Sequence, residues 1–273
     1  MISVLIPSSL GAQESDSKLR AYLIGEVARA LTIFKVQKLI IYPDPMLKTN
    51  SSRVKEVVTL LQYANTPQYL RKYIFKYEKE LKQAGALPPL QAPHHPERNE
   101  KVEYRYGFVK ELTKKGSLVD LGLDSPILCA QKLPAKKIAL FKLSSNNEWH
   151  PVSKNTVTGY FGYDIEVCTE SLTDILKKLR SEGNVVIGTS KYGIPVERIF
   201  YELSAKVKSS DKLAVAFGSY AHGFFSWFSK EDCKKMFDLV INVQSTQGTK
   251  TIRTEEALFL SLETLDLAKK IQI

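Results

Sequence analysis

Three stretches in the C-terminal half of this chain place small hydrogen-bonding residues directly after short apolar runs. Val185-Val186-Ile187 leads into Gly188-Thr189-Ser190-Lys191-Tyr192-Gly193. Leu213 to Phe217 leads into Gly218-Ser219-Tyr220-Ala221-His222-Gly223, and Leu239-Val240-Ile241 leads into Asn242-Val243 and the Gln247-Gly248-Thr249 loop. Glycine lets backbone approach a ligand closely, and short side chains leave N–H and C=O groups free to bond it. If the three runs are parallel strands, their loops share the carboxyl edge of one sheet, where open α/β sheets bind ligands. Any one of these loops is also explained as a capped turn; three together weaken that explanation without fixing the ligand. The sequence has no G-x-G-x-x-G, no G-x-x-x-x-G-K-[ST] and no G-x-S-x-G, so dinucleotide, P-loop and serine-hydrolase chemistry lack their usual carriers.

After the third loop comes Arg253, then Thr254-Glu255-Glu256 and an apolar helix. A guanidinium fork suits a phosphate or a base edge, which makes Arg253 the candidate catalytic residue; an ion pair with Glu255 or Glu256 is the structural alternative. The two glutamates suit a helix N-terminus through its dipole. His222 is either a base or substrate contact or a polar loop residue. No general base is identified.

The elements that must position these loops follow from periodicity. Ile2–Ile6 and Lys38–Tyr42 are short apolar strands. Helical spacing runs from about Glu14 to Phe34 through Leu19, Leu23, Val27, Ala30 and Leu31, and a second helix opens at Ser51-Ser52. Strand–helix alternation argues for a parallel sheet with crossover helices. The rhythm returns after Cys168, with S-x-x-D caps at Ser171 and Ser229, a helix starting at Pro195, and a last helix burying Leu258, Leu262, Leu265 and Ala268.

Between these halves the pattern changes. ALPPLQAPHHPERNE carries four prolines and no periodicity. Beyond it Tyr104–Val109, Leu118–Leu121, Ile127–Ala130, Lys137–Leu143 and Val157–Phe161 are strand candidates separated by turn residues, which suits a small OB-like barrel. The expected organisation is therefore an α/β domain over 1–84 and 160–273, interrupted by a β-barrel insertion over 85–159.

The chain has 273 residues, with 39 Lys plus Arg against 29 Asp plus Glu, a net charge of +10. That excess favours a polyanionic partner, because neutralised phosphates release counterions. Lys101, Arg105, Lys110, Lys114 and Lys115 mingle with Tyr104, Tyr106 and Phe108, the basic-plus-aromatic mixture that holds single-stranded nucleic acid; a strand with one solvated face gives the same pattern. Three scattered cysteines and four histidines lack metal-ligand spacing, so no metal is expected. No apolar run spans a bilayer, and MISVLIPSSLG lacks a basic n-region. The expected location is cytoplasmic, without membrane attachment.

VIGTSKYG, VAFGSYAHGF and FDLVINVQSTQGTKTIRTEEALFLSLETL, in that order, resemble the C-terminal signature of SPOUT-class (α/β-knot) RNA methyltransferases. The archaeal and eukaryotic subfamily with an OB-like insertion is the closest match; LPPLQAPHH and GYFGYDIEV resemble the ends of its insertion and MISVLIPSSL its first strand. The resemblance implies an α/β fold with a parallel sheet and a C-terminal trefoil knot, S-adenosylmethionine as cofactor, a homodimer and an RNA substrate, with ribosomal RNA expected. It places Thr189, Gly218, Asn242, Val243, Gln247, Gly248 and Thr249 at the cofactor. Relatives commonly carry Glu-Arg where Lys191-Tyr192 stands, and an arginine where His222 stands. The contrasting expectation is a non-catalytic RNA-binding protein that keeps the scaffold.

Overall fold

The computed structural model describes residues 1–48, 50–98 and 100–271. In chain order the elements are β1 (Ile2–Pro7), α1 (Ser17–Ile33), β2 (Lys38–Tyr42), α2 (Ser51–Asn65) and α3 (Gln68–Ile74). There follow β3 (Tyr104–Thr113), β4 (Gly116–Asp120), β5 (Ile127–Cys129), β6 (Ile138–Leu143), β7 (Trp149–Val152), β8 (Asp164–Val167) and α4 (Leu172–Ser181). The remainder is β9 (Val185–Pro195), α5 (Val196–Lys208), β10 (Leu213–Phe217), α6 (Phe224–Trp227), α7 (Lys230–Met236), β11 (Leu239–Asn242) and α8 (Thr254–Lys270). The chain divides into two compact units, one of 1–61, 80–88 and 163–273, the other of 62–79 and 89–162. The second thus takes in α3 as well as the β-rich segment, more than the expected 85–159.

The first unit is built on a six-stranded sheet in the order β11-β9-β10-β1-β2-β8, every pair parallel. Val4, Leu5 and Ile6 in β1 and Ala214, Val215 and Ala216 in β10 are fully buried, the continuous apolar run of a strand covered on both faces. Asp16 caps α1, accepting from the N–H of Lys18 at 2.7 Å and of Leu19 at 2.9 Å. Leu23, Val27, Ala30 and Leu31 face inward as expected, but Leu19 is exposed. Ser171 and Ser229 cap α4 and α7, each accepting from the aspartate N–H three residues on. The short edge strand β8, whose residues are only partly buried, carries too little apolar signal to stand out in the sequence.

The strand after Asn184 runs further than its apolar run suggests. β9 pairs with β10 through Thr189, but its pairing with β11 jumps from Gly188↔Val240 to Ile194↔Ile241. The intervening Thr189 to Gly193 is therefore unpaired with β11, and beyond Thr189 it loops away from β10 as well. Gly193 lets the strand return: a Cβ there would lie 2.6 Å from the Ile241 backbone carbon.

The second unit carries a curled antiparallel sheet in the order β5-β4-β3-β6-β7. Val109, Val119, Leu121, Cys129 and Phe141 form its core. Four of the five strand candidates are present. Val157–Phe161 is not a strand; a 3-10 turn at Lys154–Thr156, capped by Ser153, takes the chain out of the sheet. The fifth strand is β7, in which Pro151 sits at an edge where no N–H is required. His94 is buried, with Nε2 3.0 Å from Asn65 Oδ1, and burial pushes its pKa down to about 3. It is a structural imidazole.

Candidate functional site

At the carboxyl ends of β9, β10 and β11 the three loops enclose a cleft of about 260 Å³. Of the residues expected there, Thr189, Gly218, Asn242, Val243 and Gln247 line it, while Gly248 and Thr249 stand just outside. The polar side chains mostly tie the loops to one another. Thr189 Oγ1 donates to Ala216 O at 3.1 Å, bridging β9 to β10. Asn242 Nδ2 donates to Lys191 O at 2.8 Å while its Oδ1 accepts from Gln244 N at 3.0 Å. Gln247 Nε2 donates to Thr249 O at 2.8 Å, and Ser245 Oγ donates to the Glu197 carboxylate on α5, which holds that carboxyl below its usual range. With side chains spent on loop geometry, binding falls largely to backbone groups.

The second loop is folded tightly. Ser219 N donates to His222 O at 2.9 Å, and His222 N donates to Ser219 Oγ at 3.1 Å. A Cβ on Gly218 would meet Gly223 Cα and His222 O, both at 3.0 Å, so any larger residue here makes the turn give by a few tenths of an ångström. Behind it Tyr42 Oη donates to Phe217 O at 2.5 Å and fixes the end of β10; burial raises the Tyr42 pKa well above the usual phenol value.

The N-terminal part of α8 closes the cleft with Thr254, Ala257 and Ser261. Ser261 is fully buried and its Oγ has no hydrogen-bond partner among the described residues. An unsatisfied buried hydroxyl costs about 1–3 kcal/mol, and a ligand in the cleft offers it a partner. Ser226, Ala257 and Ser261 were not singled out in the sequence. They lie on helices, and only the folding of α6 and α8 against the loops brings them to the cleft.

Arg253 does not line this cleft, although Ile252 and Thr254 on either side of it do. It borders a second cavity of about 450 Å³ with Glu14, Tyr22, Glu26, Glu255 and Phe259. Burial raises the Glu255 carboxyl above its usual range, and its Oε2 has no hydrogen-bond partner among the described residues. Glu256 Oε2 accepts from Arg253 N at 2.8 Å, which caps the first turn of α8 in addition to the dipole interaction expected of that glutamate.

In the second unit Lys101, Lys110, Lys114 and Lys115 are exposed. Arg105 corrects the expectation that it faces RNA: it is 1% exposed, and Nη2 donates to Glu97 O at 2.6 Å and Glu100 O at 2.9 Å. Its guanidinium ties the Glu97 and Glu100 carbonyls to the strand instead of meeting solvent. Among the described residues no group of three or more His, Cys, Asp and Glu is placed to hold a metal ion, and no helix is long and apolar enough to cross a membrane.

A protein-family model described as a putative RNA methyltransferase matches residues 1–265. A 28S rRNA (uridine-N(3))-methyltransferase of Drosophila melanogaster is 29% identical over 97% of this chain and 61% of its own length. The mouse protein of the same name is 29% identical over 97% of this chain and 75% of its own. An uncharacterized protein of Haloarcula marismortui is 31% identical over 98% of this chain and 99% of its own. The chain thus spans about three fifths of the fly protein and nearly all of the haloarchaeal one.

Proposed function

The chain belongs to the putative RNA methyltransferase family, as its resemblance to the SPOUT class implied, and on that premise we propose that it methylates ribosomal RNA, using S-adenosylmethionine bound in the cleft at the ends of β9, β10 and β11. The names of the fly and mouse relatives support a more specific target, N3 of a uridine. The observation that carries the reading is the cleft itself, where three loops converge on a glycine corner at Gly218 and a buried hydroxyl at Ser261 lacks a hydrogen-bond partner among the described residues.

The residues fit the cofactor. An adenosine needs a few fixed donors and acceptors in a partly apolar slot; backbone at Gly218, Asn242 and Val243 would hold it, with Gln247 at the margin and Ser261 satisfied by a polar group of the ligand. When bound, S-adenosylmethionine supplies a methyl group on a cationic sulfur. The chain's own part is to fix that group and the acceptor in line and to exclude water, which is where much of the rate of such transfers comes from. The adjacency of β11, β9 and β10 and the convergence of their following loops support a knotted C-terminal segment.

The β-rich unit has the strand order of an OB barrel left open between its third and fifth strands. With its exposed Lys101, Lys110, Lys114 and Lys115, that supports a role in holding RNA. Exposed Leu19 and Tyr22 on α1 and Leu260 and Leu267 on α8 support a homodimer, which sedimentation at varied concentration tests.

Calorimetric titration with S-adenosylhomocysteine, the demethylated product, tests the cofactor site. Saturable one-site binding is expected, and its absence from folded protein refutes the reading. Binding without methyl transfer to any RNA would favour the non-catalytic alternative that the Lys191-Tyr192 departure suggests.

A further inference from the structure

A uridine N3 is an imide nitrogen, and its lone pair becomes available only as its proton leaves. Some group at the cleft must take that proton. Among the described residues the titratable side chains lining the cleft are Lys191 and Tyr192 from the β9 loop and Tyr220 and His222 from the β10 loop; β11 and α8 contribute none, and there is no carboxylate. Alkylammonium and phenol groups ordinarily hold their protons at neutral pH. Imidazole is the side chain whose ordinary range reaches it.

We propose that His222 is the general base that removes the N3 proton of the target uridine, an assignment that rests on the uridine reading above. Its placement suits the task. The hydrogen bonds at His222 are all made by its backbone, to Ser219 on the other side of the turn, and its ring nitrogens are unengaged among the described residues. Gly218 and Gly223 flank the turn and keep it narrow, so the backbone is fixed while the imidazole remains free for substrate. The residue is half-buried, which allows the proton taken up to return to solvent.

The step balances. The N3–H bond breaks with the proton going to an imidazole nitrogen, and the pair left on N3 forms the N–CH3 bond. The pair of the broken S–CH3 bond stays on sulfur and neutralises its charge. The imidazolium then releases its proton to water.

The test compares wild-type protein with His222→Gln, using His150→Gln as a control because His150 is exposed and, among the described residues, lies beside Glu148 and away from the cleft. Methyl transfer is followed against pH on a target oligonucleotide containing uridine or 5-fluorouridine, whose N3–H is more acidic. His222→Gln is expected to lower kcat by about 10²-fold or more, the usual contribution of a positioned base. It should lose the activity limb in the imidazole range, leave S-adenosylhomocysteine affinity unchanged and recover much of its rate on 5-fluorouridine. His150→Gln should behave as wild type. NMR of the His222 ring should show its signals perturbed when oligonucleotide and S-adenosylhomocysteine are both bound. If wild-type protein makes N3-methyluridine and His222→Gln keeps the limb, or shows an equal loss on both substrates, the base assignment is overturned while the function stands. If wild-type protein binds S-adenosylhomocysteine yet methylates a different atom, the uridine reading falls and this inference with it.

Discussion

Replacing Arg105 with methionine separates a structural arginine from an RNA-binding one. Its guanidinium makes two well-formed bonds, to Glu97 O and Glu100 O, and two long ones, to Leu121 O and Arg98 O at 3.4 Å. Bonds from a charged donor contribute about 1.5–3 kcal/mol each, so the two good ones bound the loss at ~3–6 kcal/mol. Methionine fills much of the same volume and removes the cost of burying a charge, which brings the expected net loss to about 2–4 kcal/mol. The assay is urea unfolding of the full chain followed by a probe in the β-rich unit, because two compact units need not unfold together. Native protein below the transition should keep its RNA affinity and the slope of that affinity against salt. A variant of unchanged stability whose RNA binding drops and loses about one unit of salt slope would refute this account and restore the reading from sequence.

Gly218→Ala places a methyl group 3.0 Å from two backbone atoms; it should cost about 1–3 kcal/mol as overpacking and weaken S-adenosylhomocysteine binding in calorimetry. Glu255→Gln should raise the melting temperature at neutral pH and do nothing near pH 4: burial raises this carboxyl's pKa, so the native state holds the proton more tightly and stability is lost as pH rises through the folded pKa. Lys110, Lys114 and Lys115, all exposed, should together reduce the salt slope of single-stranded RNA binding by about 2 when changed to alanine, at ~0.7 per phosphate contact.

The parts of this structure legible in the sequence are those fixed by local periodicity and capping. Leu258, Leu262, Leu265 and Ala268 repeat at helical spacing and are buried on α8; Ser171 and Ser229 announce the helices they cap. The three loops were legible because each ends an apolar run with small polar residues or glycine, Gly188 and Gly218 in two of them and Asn242 in the third. What was not legible depends on distant packing. Leu19 shares the apolar period of α1 yet is exposed, because period does not say how far along a helix its cover extends. Val157–Phe161 is apolar because Phe161 packs against Tyr104 and Leu140, not because it pairs in a sheet. Arg105 sits in a strand of alternating basic and aromatic residues, and its burial comes with bonds to the distant carbonyls of Glu97 and Glu100, which no local pattern announces. Arg253 differs from Ile252 and Thr254 by one position, enough to turn it from the cleft to the neighbouring cavity.

The central claim is methyl transfer to uridine N3 in ribosomal RNA from a cofactor held at the ends of β9, β10 and β11. The most direct test is to incubate the protein with unmodified large-subunit ribosomal RNA and isotopically labelled S-adenosylmethionine, digest the RNA, and identify the labelled nucleoside by mass spectrometry. The account predicts labelled N3-methyluridine, reduced when Gly218→Ala weakens cofactor binding. Label in another nucleoside, or no label from protein that binds the cofactor, would contradict it.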